Sequence, residues 1–516
     1  MKKLFFFSAA VALAALAFVG CSKDAGEPAV VPPTIEQVSG IEPAYSRGLH
    51  EYLEISPEVA LSNDNEAGVA YEWNINYKVV GTEKTLRIKC DELLSDAVCY
   101  FKASSETGAK IVDFTLNVTS PYDKGLLLLT QTSDGAMLTF KRLDILSTPA
   151  SPYAFKDNNP TLALGKEALS IAWRGDGLTN FGRAIEDGDL DIVISTANPA
   201  KIYDINPDDN MKVRNEIVYN GTGEFVPSFA LCPAGGQPCQ QLMDGPVYWL
   251  GNGTEYIMTG QYEFVKATDG FGLPDGANIA PMGCSLIEDD MARVYFDTTT
   301  KHLLWMSALV GTNEGTATLD IDEPMNILAC DGIYRDESNA GYRYEPFHVL
   351  VIGKRGNSTH LYRFYGGEFF MSEELLGDMD TTGNILPTSA TAVNPISPIL
   401  YYSKGGDVYR CNYDNESGAG FDAAPYISLG ANYEIKQMIF NRYDADTIYI
   451  AAEDTSAEGE MKASLFIYNV ADKSLAQKLF EDHNIGGSIK QLIYKGNGKE
   501  SVERRENQSM LKRLFR

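Results

Sequence analysis

Basic residues are the scarce charge in this sequence: 43 Lys and Arg stand against 70 Asp and Glu, a formal charge of −27 over 516 residues. A surface this acidic repels phosphate backbones and anionic headgroups, which argues against nucleic acid as a partner. The same charge also favours solubility. Histidine is sparse as well. The five, His50, His302, His348, His360 and His483, are scattered, with no H-E-x-x-H and no pair at metal-ligand spacing. Neither a G-x-S-x-G elbow nor a G-x-x-x-x-G-K-[ST] phosphate loop occurs. Gly270 to Gly276, GFGLPDG, has the wrong glycine spacing and a proline, and reads as a surface loop. Of the eight cysteines none has C-x-x-C spacing, so neither a redox motif nor a zinc ribbon is supported. Helical periodicity is nearly missing, with a turn or two expected at Glu373 to Leu376. No cofactor is expected.

What the chain does have is hairpins. Pro398 to Tyr413 reads PILYYSKGGDVYRCNY, two alternating strands joined through Gly405 and Gly406, where glycine supplies the positive φ of a tight reversal. The phrase recurs in Arg293 to Trp305, His348 to Phe364 and Thr447 to Tyr468. Further hairpin strands are expected at Met137 to Leu143, Leu190 to Thr196, and Val247 to Trp249 with Tyr256 to Thr259. Aromatic hairpins at roughly 45–55-residue spacing predict the blades of a β-propeller. Gly125 to Thr130, GLLLLT, opens that region, which spans 123–495 and has room for seven blades, with six or eight as neighbouring solutions. Ahead of it, 36–120 carries short strands at Tyr52 to Ile55, Val69 to Ile75, Thr85 to Ile88, Val98 to Ala103 and Ile111 to Val118. That spacing predicts a small immunoglobulin-like sandwich. The fold class is therefore all-β, a small immunoglobulin-like sandwich followed by a seven-bladed β-propeller. The mixed-charge segment 496–516 is read as a flexible tail.

The N-terminus adds a location. Met1-Lys2-Lys3 precedes an apolar run, Leu4 to Val19, that ends at Gly20-Cys21 before polar Ser22-Lys23-Asp24. This looks like a bacterial lipobox, with 1–20 as signal peptide, Cys21 as the lipidated residue and 21–35 as a tether. Phe18 stands where leucine is usual. Acyl chains contribute about 0.8 kcal/mol per buried methylene, enough for several to hold a protein on a membrane. Tyr71-Glu72-Trp73 resembles the tyrosine-x-tryptophan strand of PKD-type domains, although Asn74-Ile75-Asn76-Tyr77 replaces their usual Gly/Asp-rich turn. Lipobox, tether, PKD-like domain and propeller-like region, in that order, resemble the PKD-like family lipoproteins of Bacteroidota. The resemblance implies a surface-exposed outer-membrane lipoprotein of the cell envelope, beside a TonB-dependent transporter complex. Its role would be accessory to nutrient capture and non-catalytic. It brings no catalytic residues.

Candidate site residues come from the same segments. Sugars and peptides both use aromatic faces. Trp249 precedes the Gly251-Asn252-Gly253 turn, and Tyr334, Arg335, Tyr342, Arg343 and Tyr344 crowd one loop. These six are the expected ligand contacts for a glycan or peptide, with packing between blades as the alternative for the tyrosines. Trp173 and Trp305 read as core. Asp187, Asp189 and Asp191 place three carboxylates at alternate positions, which fits either calcium or a solvated turn, since the EF-hand glycine and closing glutamate are missing. Cys232 and Cys239 end a Gly/Pro loop and could be bridged; Cys90 and Cys99 could pair across a short segment. Two other functions stay open. One is a propeller-based glycoside hydrolase or lyase, whose carboxylate pair a sequence cannot place. The other is a structural subunit that binds only neighbouring proteins.

Overall fold

The computed structural model describes residues 31–63, 65–175, 191–217, 227–231, 247–251, 253–258, 264–266, 273–274, 276–285, 293–306, 313–330, 347–366, 371–414, 420–441 and 444–497. Among them the one α-helix is Ala154–Asn158; everything else regular is β. The chain divides into two compact units. Of the described residues, the first takes those up to Ser46 with Tyr52–Lys89 and Asp96–Asn117; the second takes Arg47–Glu51, Cys90–Ser95 and those from Val118 on.

The first unit is a small sandwich. Its five-stranded sheet runs Ala44–Gly48, Gly108–Thr119, Leu94–Ser105, Ala70–Ile75, Lys78–Gly81. Two-stranded pairs join Ile35–Ser39 to Glu58–Leu61 and Tyr52–Ile55 to Leu86–Lys89. Period-2 alternation does the sorting. Ala97, Cys99, Phe101 and Ala103 are buried while Val98 is exposed. Trp73 fills the centre, its ring 4.4 Å from Phe101 and 6.1 Å from Phe114. Its indole N–H donates to the Glu83 carbonyl at 2.9 Å, so burial leaves no polar atom stranded. Truncating such a residue to alanine typically costs roughly 3–5 kcal/mol.

The second unit is a seven-bladed β-propeller. Each blade is an antiparallel meander, numbered here along the chain. Blade 1 holds Ser488–Lys495 innermost, then Gly125–Thr132 and Gly135–Arg142, and its fourth strand is reduced to a single bridge between Phe140 and Ser151. Blade 2 is Glu167–Arg174, Asp191–Ala197, Lys201–Asn206 and Lys212–Ile217. Blade 3 is Phe229–Leu231, Val247–Gly251, Thr254–Met258 and Phe264–Lys266; blade 4 is Cys284–Ser285, Arg293–Asp297, His302–Met306 and Asn313–Thr318. Blade 5 is Glu323–Cys330, Phe347–Arg355, Ser358–Gly366 and Met371–Asp380. Blade 6 is Thr391–Val393, Ile399–Lys404, Asp407–Asn412 and Gly420–Phe421, with Ile427–Ser428 also on its third strand; blade 7 is Tyr433–Asn441, Asp444–Asp454, Ala463–Asn469 and Gln477–Gly486.

Second strands explain why the sequence reads as apolar runs. Each is covered on both faces, so successive residues enter different cores. Leu127 and Leu129 pack with Ile192 and Ile194 of blade 2, whereas Leu126 and Leu128 pack with Tyr449 and Ala451 of blade 7. Val193 faces Trp249 of blade 3. Leu250 joins Tyr295 and Leu304 of blade 4, and Val294 and Phe296 join Val349 and Val351 of blade 5. Leu350 and Ile352 meet Leu400 and Tyr402 of blade 6, whose Tyr401 meets Ile448 and Ile450 of blade 7. One apolar cluster thus lies between every neighbouring pair, and the ring is closed by blade 1, which combines early and late chain. Gly405 has φ +61°, as expected at the reversal of the blade 6 hairpin. Glu373 to Leu376 is part of the fourth strand of blade 5 rather than a helical turn: pairing with Ser358–Gly366 overrides the helix preference of Glu-Glu-Leu-Leu.

Candidate functional site: the central channel

The innermost strands of all seven blades line one cavity of about 400 Å³ on the axis of the ring. Its wall is built from aliphatic, aromatic and amide side chains. None of the described residues lining it is Asp, Glu, Lys, Arg or His. In a chain of formal charge −27 that is a marked local departure.

Amides enter the wall through β-bulges. Innermost strands are sheet edges, so one row of their N–H groups has no strand partner. In blade 7 the extra residue is Lys436, between the pairs Ile435–Ala452 and Gln437–Ala451. In blade 1 it is Lys490, between Ile489–Thr130 and Gln491–Leu129. A bulge reverses the facing of the residues beyond it on the strand. Ile435 therefore packs toward blade 6, while Gln437 reaches blade 1 and its Oε1 accepts the Leu492 N–H at 2.5 Å. Gln491 repeats the contact one blade on, its Oε1 accepting the Ile171 N–H of blade 2 at 2.9 Å. Blades 2 and 5 carry bulges at Leu169 and Met325. There Ser170 Oγ meets Ser195 Oγ at 2.7 Å, and Asn326 Nδ2 donates to Thr391 Oγ1 of blade 6 at 2.9 Å. Gln437, Gln491 and Asn326 thus lace neighbouring blades, while the Ser170–Ser195 contact stays within blade 2.

Sequence reading missed this belt, though a signal was present. Ile435-Lys-Gln-Met-Ile-Phe440 and Ile489-Lys-Gln-Leu-Ile-Tyr494 are the same phrase in adjacent blades.

The expected site residues that are described, Trp249 and Asp191, do not line the channel. Trp249 is fully buried, in the cluster between blades 2 and 3 with Ala172 and Val193, so its faces serve packing. Trp173 is core, as expected, and its edge also reaches the channel wall; Trp305 packs against the cluster between blades 4 and 5. Asp191 is buried with its two oxygens held by Arg174 and Arg214, an ion-pair carboxylate rather than a calcium ligand. Cys90 and Cys99 are both free, buried thiols and do not pair; burial pushes Cys99 up to about 11. Tyr334, Arg335, Tyr342, Arg343, Tyr344, Asp187, Asp189, Cys232, Cys239 and Cys21 lie outside the described residues.

Ionisable groups gather between blades instead. Arg293 of blade 4 meets Glu255 of blade 3 through two bonds, Nε to Oε1 at 2.5 Å and a terminal nitrogen to Oε2 at 2.7 Å; Tyr295 donates to the same carboxylate at 2.7 Å. Both charged side chains are essentially inaccessible. Between blades 5 and 6, His348 Nδ1 lies 3.2 Å from the Tyr413 hydroxyl. Burial, reinforced by Arg363, brings His348 down to about 4, and burial holds Tyr413 well above the usual phenol range.

One cluster has the order of a hydrolase triad. His360 Nε2 is 3.1 Å from Ser358 Oγ, and Nδ1 is 2.6 Å from Asp378. However, Ser358 Oγ also donates to the Arg355 carbonyl at 2.7 Å, and the Gly356 N–H is taken by Asp322. With hydroxyl and turn amide both committed, the cluster reads as a hairpin clasp.

No protein-family model matches the chain, and no curated protein matches it. Among solved structures it is similar to a quinoprotein alcohol dehydrogenase-like protein from Bacteroides thetaiotaomicron, at TM-score 0.44 and 13% identity, over 90% of this chain and 99% of that one. A DUF4784 family protein from Bacteroides caccae gives TM-score 0.32 and 6% identity, over 90% and 99%. The WD40 domain of SCAP from fission yeast gives TM-score 0.33 and 8% identity, over 64% and 74%. Likenesses this distant carry no argument about what the chain does.

Proposed function

We propose that this chain is an exported, lipid-anchored binding protein of the cell envelope, with the propeller channel as its ligand site. The observation that carries the reading is the channel wall: seven strands converge on one small-molecule-sized space that offers amides and apolar surface. Among the described residues of the wall there is no carboxylate, lysine or imidazole to move a proton, which supports capture over turnover. Cys21 would carry the lipid, and the outer membrane, facing outward, would be its place. The ligand would be a glycan or peptide held for a TonB-dependent transporter complex, a role that rests on the sequence resemblance.

The test is full-length protein in detergent micelles, incubated with neutral and acidic polysaccharides, mucin glycoproteins and peptides, scoring retention and released products. Ala329→Phe, which enlarges a side chain of the wall, serves as the control. Retention that this variant abolishes is the expected result. Released products would replace the reading with a propeller-based glycoside hydrolase or lyase. Co-purification of a transporter with no retained ligand would replace it with a structural subunit.

A further inference from the structure

We infer that the channel selects uncharged ligands carrying a carbonyl oxygen next to a small apolar group, the acetamido group of an N-acetylated sugar being the class that fits, a refinement that rests on the channel being the binding site.

The amide belt is donor-rich. Both Gln437 and Gln491 spend Oε1 on a backbone N–H, which fixes the amide orientation. Their Nε2 groups, each with two protons, make no hydrogen bond among the described residues, and both side chains line the cavity. Gln131 shows what a fully committed glutamine looks like here: its Oε1 accepts from Ala168, and its Nε2 donates to the carbonyls of Thr132 and Lys166. In the opposite wall, Asn326 gives Oδ1 to the Ile327 N–H and one Nδ2 proton to Thr391, leaving a second proton. A ligand that brings acceptors satisfies this belt. One that brings only donors finds one lone pair of each amide oxygen already spent on a backbone N–H.

Two residues beyond each amide, on the same side of its strand, stands an aliphatic: Leu328 after Asn326, Ile439 after Gln437, Ile493 after Gln491. Donors and methyl-sized apolar surface therefore sit side by side. An acetamido group matches that order, since its carbonyl accepts two hydrogen bonds and its methyl needs cover. It also hangs from the sugar ring by one bond and can enter end-on, whereas a peptide carbonyl is flanked by chain on both sides. Charge is disfavoured, because an ion would shed water with no counter-charge among the described residues of the wall. Anions are further repelled by the acidic protein as a whole.

The test is calorimetry on the full chain with four probes: the N-acetylglucosamine trisaccharide, its deacetylated cationic form, the glucose trisaccharide and a blocked alanine tripeptide. Gln437→Glu and Gln491→Glu keep the Oε1 acceptor that laces the blades but replace the donor nitrogen with an oxygen. The acetylated sugar is expected to bind best, and each variant to weaken it by about tenfold or more, the equivalent of one lost hydrogen bond. If both neutral sugars bind equally and Ala329→Phe abolishes both, the channel stands as the site and the carbonyl selection falls. Tighter binding of the peptide, or no binding of any sugar, also overturns the selection. Binding that ignores Ala329→Phe as well as the glutamate variants would place the ligand elsewhere and overturn the channel reading with it.

Discussion

The two sides of the ring are held by different chemistry. On the side of blades 7, 1 and 2, neutral glutamines reach across each junction and accept backbone N–H groups. On the side of blades 3 and 4, the innermost strands shorten to Phe229–Leu231 and Cys284–Ser285, and the junction carries a buried ion pair, Arg293 with Glu255. The ion pair is closed off by burial: both side chains are essentially inaccessible, and the carboxylate takes two bonds from the guanidinium and one from Tyr295. An amide that accepts once still has two protons to give. The lesson is that a joint made of amides doubles as a recognition surface, whereas a joint made of paired charges does not.

The comparison can be broken most forcefully at the charged junction. Glu255→Ala should cost about 3–5 kcal/mol, because it leaves a guanidinium buried without its counter-charge. The Glu255→Leu, Arg293→Met double variant should recover most of that loss. Urea unfolding of the three proteins decides it, and a single variant within about 1 kcal/mol of wild type would mean that the pair holds little.

The junction of blades 5 and 6 sharpens the contrast with a third kind of joint, set by pH. His348 is lowered to about 4 in the fold, so on acidification the unfolded chain binds its proton first. Its contribution is complete above the ordinary histidine range near 6.5 and is lost as pH falls toward 4, amounting to about 2 kcal/mol at pH 5. His348→Gln should flatten the fall in the unfolding midpoint between pH 7 and 5. An unchanged slope would assign it to other groups.

The amide joint should give the smallest effect. Gln491→Leu strands the Ile171 N–H, but that edge fronts the channel and water can replace the amide, so about 1 kcal/mol is expected. A loss as large as that of Glu255→Ala would erase the distinction between the two sides.

Architecture was legible in the sequence because it depends on local pattern. Hairpins with aromatic strands recur blade by blade, and GLLLLT announces a strand covered on both faces. Trp173 reads as core and is core. The channel was not legible for a physical reason. Whether Gln437 faces blade 6, blade 1 or solvent turns on one extra residue, Lys436, and simple alternation puts Gln437 on the same side as Ile435. Trp249 misleads in the opposite sense. A large aromatic beside a Gly-rich turn looks exposed, yet it lies on a second strand, where the neighbouring blade covers each face. Asp191 looks like one of a row of turn acids until Arg174 and Arg214 converge on it.

The make-up of blade 1 also sets an order of events during synthesis. Gly125–Thr132 and Gly135–Arg142 are made before the other six blades, while the strand that completes them, Ser488–Lys495, is made after all of them. Until it emerges, the Gly125–Thr132 edge is open and Leu126 and Leu128 lack the cover of Leu492. An open, leucine-rich edge is a template for pairing with another chain. A stop codon just before Ser488 is therefore expected to give aggregated product rather than a ring missing one strand.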